Sequence, residues 1–243
     1  SVTRPPANDR HCLVVMPARN EAASIGDVVR EARAVLGADV LVVNDASSDS
    51  TAMQAREAGA HVLHLSQQLG AWGATQTGLR FALSRGYRHV LTMDADGQHH
   101  AASLPVLMRE LEARGVDVMI GSYEARLSTA KRLAWAYFRL ITGIPVRDFT
   151  SGLRAYGPRA VKILAQPDAS LLDYQDIGVL MLLKARGLRM AEIDTPMSPR
   201  RNGISRVFSS WPTVARYMLA SSVLCLARLD RARDEPKERS DNP

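Results

Sequence analysis

The sequence predicts an α/β protein built on one mainly parallel, Rossmann-like sheet with helices on both faces. Three observations predict it: short apolar runs alternate with segments of helical period, turn glycines mark the changes, and acidic residues stand where apolar runs end. A sheet of this kind gathers its ligands outside the carboxyl ends of its strands.

Residues 11–16 form the first apolar run, and Asp39-Val40-Leu41-Val42-Val43-Asn44-Asp45 repeats its character, so both read as buried parallel strands. Between them, residues 21–36 carry Ile25, Val28, Val29, Ala32 and Val35 at helical spacing, and Gly37 follows where a helix ends. The result is a β-α-β unit. The alternation continues with a helix over 51–58, a strand over 61–65, a helix over 74–84, a strand over 89–93, a helix over 104–114 and a strand over 116–121. Asp45 and Asp94 both fall at strand ends. Beyond Gly121 the pattern weakens: helices are predicted over 131–142 and 172–186, and a strand over 189–195 before an arginine-rich loop.

A chain of 243 residues can bury one sizeable core. The reading is a flexible start over 1–10, one domain over 11–207, an apolar helix over 208–230 and a disordered tail over 231–243. A net charge of +6 points to an anionic partner, and nucleic acid, phospholipid headgroup and nucleotide diphosphate all satisfy it. Aromatic residues make up 5% of the chain, which argues against a stacking platform for single-stranded nucleic acid. Cys12 and Cys225 have no metal-ligand spacing and read as buried thiols in a reducing compartment. Residues 1–6 show no secretory pattern, so the cytoplasm is the expected location. Residues 213–229 are apolar around most of a helix, yet the uncharged stretch 217–227 is shorter than the roughly 20 residues that span a bilayer. Two readings stand for it: a helix packed on the domain or in a homo-oligomer, and an in-plane contact of a peripheral protein with the membrane face.

The chemistry centres on Asp94-Ala95-Asp96. A strand over 89–93 delivers two carboxylates to the sheet edge, where a turn can aim them at one hard cation, Mg2+ or Mn2+, with Gln98 adding a neutral oxygen. Taken alone, an Asp-x-Asp after a strand reads first as a solvated turn, because acidic turn residues after strands are common. Its context is the order of further motifs: Pro17-Ala18-Arg19-Asn20-Glu21, then Asn44-Asp45-Ala46-Ser47-Ser48-Asp49-Ser50-Thr51, then Leu69-Gly70 through Thr77-Gly78, then Asp94-Ala95-Asp96-Gly97-Gln98-His99.

In these motifs the chain resembles the inverting family 2 glycosyltransferases of GT-A fold, and within them the branch of dolichyl- and polyprenyl-phosphate sugar synthases. The resemblance covers residues 11–207. It implies a nucleotide-binding half followed by an acceptor-binding region. It places a nucleotide-diphosphate sugar, UDP- or GDP-linked, along Pro17, Ala18, Asn20, Glu21, Gly70, Asp94, Ala95 and Asp96, with Asp45 near the base or ribose and Asp94, Asp96 and Gln98 on the cation. Asp49 reads also as a helix cap, Asn44 stands where many relatives carry Asp, and Trp72 occupies an early loop site, where it reads first as ordinary packing and second as part of the pocket rim. Asp148-Phe149-Thr150-Ser151-Gly152-Leu153-Arg154 matches the family's region near the reaction centre; a turn at Gly152 and an ion pair between Asp148 and Arg154 are the plain alternatives. Asp176 falls where relatives hold an acidic residue serving the acceptor. Arg201, Ser205 and Arg206 match a phosphate-binding loop, with a plain exposed basic loop as the alternative, and Arg126, Lys131, Arg132 and Arg139 lie where relatives gather phosphate-binding residues, though their helical context reads equally as plain solvation.

The resemblance therefore implies transfer of a hexose to a polyprenyl or dolichyl phosphate, with Asp176 first and Asp148 second as base candidates and Arg201 beside the leaving diphosphate. A soluble or glycan hydroxyl acceptor is the alternative. A non-catalytic nucleotide-binding module and a nucleotidyltransferase fit less well, because the acidic run is intact and no glycine-rich, lysine-containing signature is present.

Overall fold

The computed structural model describes residues 11–123, 129–171 and 177–198. Strands β1 (Cys12–Ala18), β2 (Asp39–Asn44), β3 (His61–His64), β4 (His89–Thr92), β5 (Val118–Ser122), β6 (Arg154–Tyr156) and β7 (Met190–Asp194) form one sheet in the order β3-β2-β1-β4-β6-β5-β7. The pairings are parallel except the two made by β6, which runs antiparallel to both β4 and β5. The helices are α1 (Ile25–Leu36), α2 (Thr51–Glu57), α3 (Gly70–Ser84), α4 (Ser103–Arg114), α5 (Thr129–Thr142), α6 (Pro158–Leu164) and α7 (Ile177–Ala185).

Strand residues alternate between faces, so each central strand feeds two cores. Leu13, Val15, Leu41 and Val43 pack with Leu79 of α3, Trp135 and Phe138 of α5, Val161 of α6 and Leu180 of α7. Val14, Met16, Val40 and Val42 pack with Ile25, Val28 and Val29 of α1, Ala55 of α2 and Leu104, Leu107 and Leu111 of α4. The continuous apolar runs of β1 and β2 are the signature of strands covered on both sides. Burial pushes the Cys12 thiol up to about 12 against the lowering effect of the Leu91 backbone hydrogen bond, which leaves it protonated and inert.

Three features depart from the sequence reading. Helix α3 begins at Gly70 rather than 74, so Trp72 sits inside its first turn, 4% exposed, with Nε1 donating to the Ala169 carbonyl at 2.7 Å. It is a core residue, as the packing reading of this position has it. Strand β6 has no apolar run to announce it: it is three residues long and starts with Arg154, which is wholly buried. Helix α6 follows it, with Pro158 at its first turn, in a stretch read as irregular. Among the described residues no helix is long and apolar enough to cross a membrane.

Helix α3 lies close against β1 because Gly78 has no side chain: a Cβ there would come within 3.0 Å of Val15 Cγ2, and Val15 is fully buried. Gly78→Val is expected to lower unfolding free energy by about 1–3 kcal/mol through overpacking, measured by urea denaturation.

Candidate active site

Strands β2, β1 and β4 are neighbours and parallel, so the loops leaving their carboxyl ends open at one edge of the sheet. Strand β6 runs the other way and starts at that same edge, which delivers residues 148–153 to it. Strand β7, parallel to β5, delivers 195–198.

The loop after β1 is stitched to the loop after β2. Asn20 takes a left-handed backbone, φ 54°; its amide donates to Ser47 Oγ at 3.0 Å and its Oδ1 accepts from the Ser48 amide at 2.9 Å. The Glu21 amide donates to Thr51 Oγ1 at 2.9 Å, and the Ala22 amide to Asp49 Oδ2 at 3.2 Å. Asp49 Oδ1 also accepts from the amide and hydroxyl of Thr51 at 3.0 and 2.5 Å, so it holds the first amide of α2 from one position before the N-cap, which is Ser50. Burial raises the Asp49 pKa, but the hydrogen bonds from Thr51 and Ala22 outweigh it and hold the carboxyl below its ordinary value. A cavity of about 270 Å³ lies here, lined by Asn20, Glu21, Ala22, Ala23, Ser24, Asp49 and Asp96. Asn20, Glu21 and Asp96 thus come together as the sequence implied, and Ser24 joins them unforeseen.

Pro17 and Ala18 close β1 with their backbone in the sheet, paired with Val43 and Asn44. Asp45 is 4% exposed, and both carboxylate oxygens hold backbone amides at the start of α3, Leu69 at 2.7 Å and Gly70 at 3.0 Å. These two bonds cap α3. Gly70 is needed there for its φ of 78°. Asn44 Oδ1 accepts from the Ser47 amide at 3.3 Å, and its amide group meets His64 Nδ1 at 3.2 Å, so this position braces the loop.

The acidic run follows β4. Ser24 stands at the N-terminus of α1, yet its hydroxyl does not cap that helix; it donates to the carbonyl of buried Ala95 at 2.8 Å. Asp96 Oδ1 accepts from the Gln98 amide at 3.0 Å, closing a tight turn. The Asp94 carboxylate meets His99 Nε2 at 3.1 Å and lies against Gly152, where a Cβ would fall 2.9 Å from Asp94 Cγ. Thr92 Oγ1 fastens that turn from below by donating to the Gly152 carbonyl at 2.8 Å. Gly152 has no positive φ among its peers, so close approach, not turn geometry, is what demands glycine there.

Among the described residues no three His, Cys, Asp or Glu side chains gather as a metal cluster. Asp94, with its side chain 44% exposed, Asp96 on the cavity wall and Gln98 offer oxygen donors only. Oxygen ligand atoms of this kind suit a hard divalent cation that takes its remaining ligands from a diphosphate and water.

Several implied residues serve the fold. Asp148 is 7% exposed, and its Oδ1 accepts from the amide and hydroxyl of Thr150 at 3.0 and 2.7 Å. Arg154 directs Nε and Nη2 to the carbonyls of Ser151 and Phe149 at 2.9 and 2.8 Å, which holds the turn beneath Asp94. Ser151, expected at a phosphate, is buried, with its hydroxyl on the Gly121 carbonyl. Arg139 lines a different hollow of about 410 Å³ with Arg114, Pro145, Arg147 and Glu192, apart from the cavity of Asp96. Glu192 had drawn no notice; its nearly buried carboxylate accepts from the amides of Arg147 and Asp148, both at 2.9 Å, and so carries the loop that leads to Gly152. Asp176, Arg126, Arg201, Ser205 and Arg206, with Cys225 and the segments 208–230 and 231–243, lie outside the described residues.

Residues 13–164 match the family model described as Glycosyl transferase family 2. The undecaprenyl-phosphate mannosyltransferase of Micrococcus luteus is 31% identical over 80% of this chain and 86% of its own length. The polyprenol monophosphomannose synthase of Mycolicibacterium smegmatis is 30% identical over 91% of this chain and 89% of its own. Among solved structures, glucosyl-3-phosphoglycerate synthase from Mycobacterium tuberculosis, in complex with Mn2+, UDP-glucose and phosphoglyceric acid, superposes with a TM-score of 0.68 at 21% identity, over 90% of this chain and 80% of that one.

Gly152→Ala tests the close approach. The atoms it meets belong to the end of the Asp94 side chain, which can move, so the melting temperature is expected to hold while catalytic activity falls about tenfold or more. Asp49→Asn tests the cap: because the native carboxyl titrates low, its contribution to stability is present at neutral pH and lost as pH falls through the folded-state pKa. The stability gap between native and variant, read by denaturant titration, is expected to be widest at neutral pH and to shrink below about pH 4.

Proposed function

The chain belongs to glycosyl transferase family 2 and is a glycosyltransferase with a GT-A architecture; from that premise we propose that it moves a hexose from a UDP- or GDP-linked donor to a polyprenyl phosphate, with inversion at the anomeric carbon. The observation that carries the acceptor is that two relatives, each matching four-fifths or more of this chain, are both named for sugar transfer to a polyprenyl phosphate.

Asp94, Asp96 and Gln98 would hold a Mg2+ or Mn2+ ion, whose chemistry is to stabilise the charge that grows on the departing diphosphate. Asn20 and Glu21, on the wall shared with Asp96, bind the donor nucleotide, and their loop is stiffened for this by Ser47, Ser48, Asp49 and Thr51. Asp45 sets the start of α3 at the same edge. A lipid phosphate is already an anion and needs no strong base to attack. The structure's use of Asp148 favours such an acceptor: one of its oxygens is engaged in the Thr150 turn and little of the side chain is exposed. Asp176 remains the proposed acceptor-side acid. A polyprenyl acceptor resides in a bilayer, so the domain works at a membrane surface.

The deciding experiment incubates the protein and Mg2+ with a panel of UDP- and GDP-sugars, with and without polyprenyl phosphate, and follows nucleotide release. Release that depends on the lipid phosphate is expected; release indifferent to the lipid would refute the acceptor. Asp96→Ala is expected to abolish turnover, and near-native activity in that variant would overturn the metal site. Asp176→Asn is expected to have a mild effect on kcat, whereas a loss of several orders of magnitude, on the order of that seen when a general base is removed, would favour a hydroxyl acceptor.

A further inference from the structure

Beside the acidic run lies a histidine whose arrangement no simple packing role explains. The His99 side chain is 3% exposed, and its Nε2 stands 3.1 Å from Asp94 Oδ2. A carboxylate only accepts, so the imidazole is the donor in this contact. Its other nitrogen, Nδ1, is buried with no hydrogen-bond partner among the described residues. Leaving a buried polar atom unsatisfied costs about 1–3 kcal/mol, so as mere filling an apolar side chain would serve better. The single polar task of this ring is Asp94.

The ring is also rigidly mounted. His99 forms an isolated antiparallel bridge with Met197, the Ser198 amide donates to the neighbouring Gln98 carbonyl at 2.8 Å, and His100 Nε2 meets Ser198 Oγ at 2.7 Å. The segment after β7 therefore holds the backbone at Gln98 and His99 and the side chain of His100. Asp94 meets Gly152 as well, so the carboxylate is held between a hydrogen-bond donor and a surface that admits no side chain.

We propose that His99 is a positioning residue: by donating Nε2–H to Asp94 Oδ2 it fixes the carboxylate in the orientation that receives a divalent cation and the donor diphosphate. The inference rests on the metal-dependent reading above and adds a residue to it. Partners of this kind, which orient a ligating carboxylate, change metal affinity when removed.

The test compares the native chain with His99→Met and His99→Gln, two side chains of similar length of which only glutamine retains an N–H donor. Mn2+ binding is titrated by electron paramagnetic resonance in the presence of UDP or GDP, nucleotide binding without metal by calorimetry, and folding by thermal melting. His99→Met is expected to weaken Mn2+ by about 10–100-fold while metal-free nucleotide binding holds, and His99→Gln to recover much of the loss. Native Mn2+ affinity in His99→Met overturns the proposal. Equal losses in both variants overturn it too, because the donor would then not matter. A native chain that binds no Mn2+ with either nucleotide would instead bring down the metal-dependent reading, and this inference with it.

Discussion

The contact between the Asp94 carboxylate and Gly152 is the constraint around which this edge of the molecule is built. No side chain can stand at 152 without displacing the aspartate. To bring residue 152 there, the chain must reverse a strand within an otherwise parallel sheet, and β6 does so between β4 and β5. The reversal is held by groups that would be costly to bury unpaired. Arg154 serves the carbonyls of Phe149 and Ser151, Ser151 the carbonyl of Gly121, and Glu192 the amides of Arg147 and Asp148. Each of these polar residues supports the turn that carries Gly152.

The opposite side of the site is assembled by a different means. Three parallel strands end side by side, and the loops that leave them are fastened by side chain to backbone hydrogen bonds: Asn20 with Ser47 and Ser48, Asp49 with Ala22, Ser24 with Ala95. Backbone groups in loops need partners as much as those in strands do. Meeting that need with residues from neighbouring loops stiffens the wall on which a nucleotide would lie. Preorganised donors and acceptors of this kind are what an enzyme uses to stabilise charge that appears only during reaction. The two aspartates of the acidic run thus stand on supports from four separate parts of the chain.

The order of strands and helices was legible in the sequence as far as Gly121, because each central strand is covered on both faces and must be apolar throughout. Legibility failed where that pressure is absent. Strand β6 is short and begins with a buried arginine whose charge is answered by carbonyls, an arrangement invisible to any hydropathy pattern. Ser151 lies within a motif expected at a phosphate, yet its hydroxyl bonds a strand carbonyl, whereas Trp72 packs in the core as an ordinary apolar residue. Arg139 was grouped with phosphate-binding residues by its place in the chain, but α5 carries it to a separate hollow.

The sequence by itself determined the class of fold and the family, since these depend on residue types at fixed short spacings and on the alternation of apolar runs with helical periods. The tertiary structure alone decided which neighbours each of those residues bonds. Asp45 is turned to α3, Asp148 to its own turn, and Asp94 is shaped by His99 and Gly152. The physical reason is that a side chain's task is set by its nearest partners. Here those partners arrive from strands far apart in the chain, at distances that local spacing does not encode.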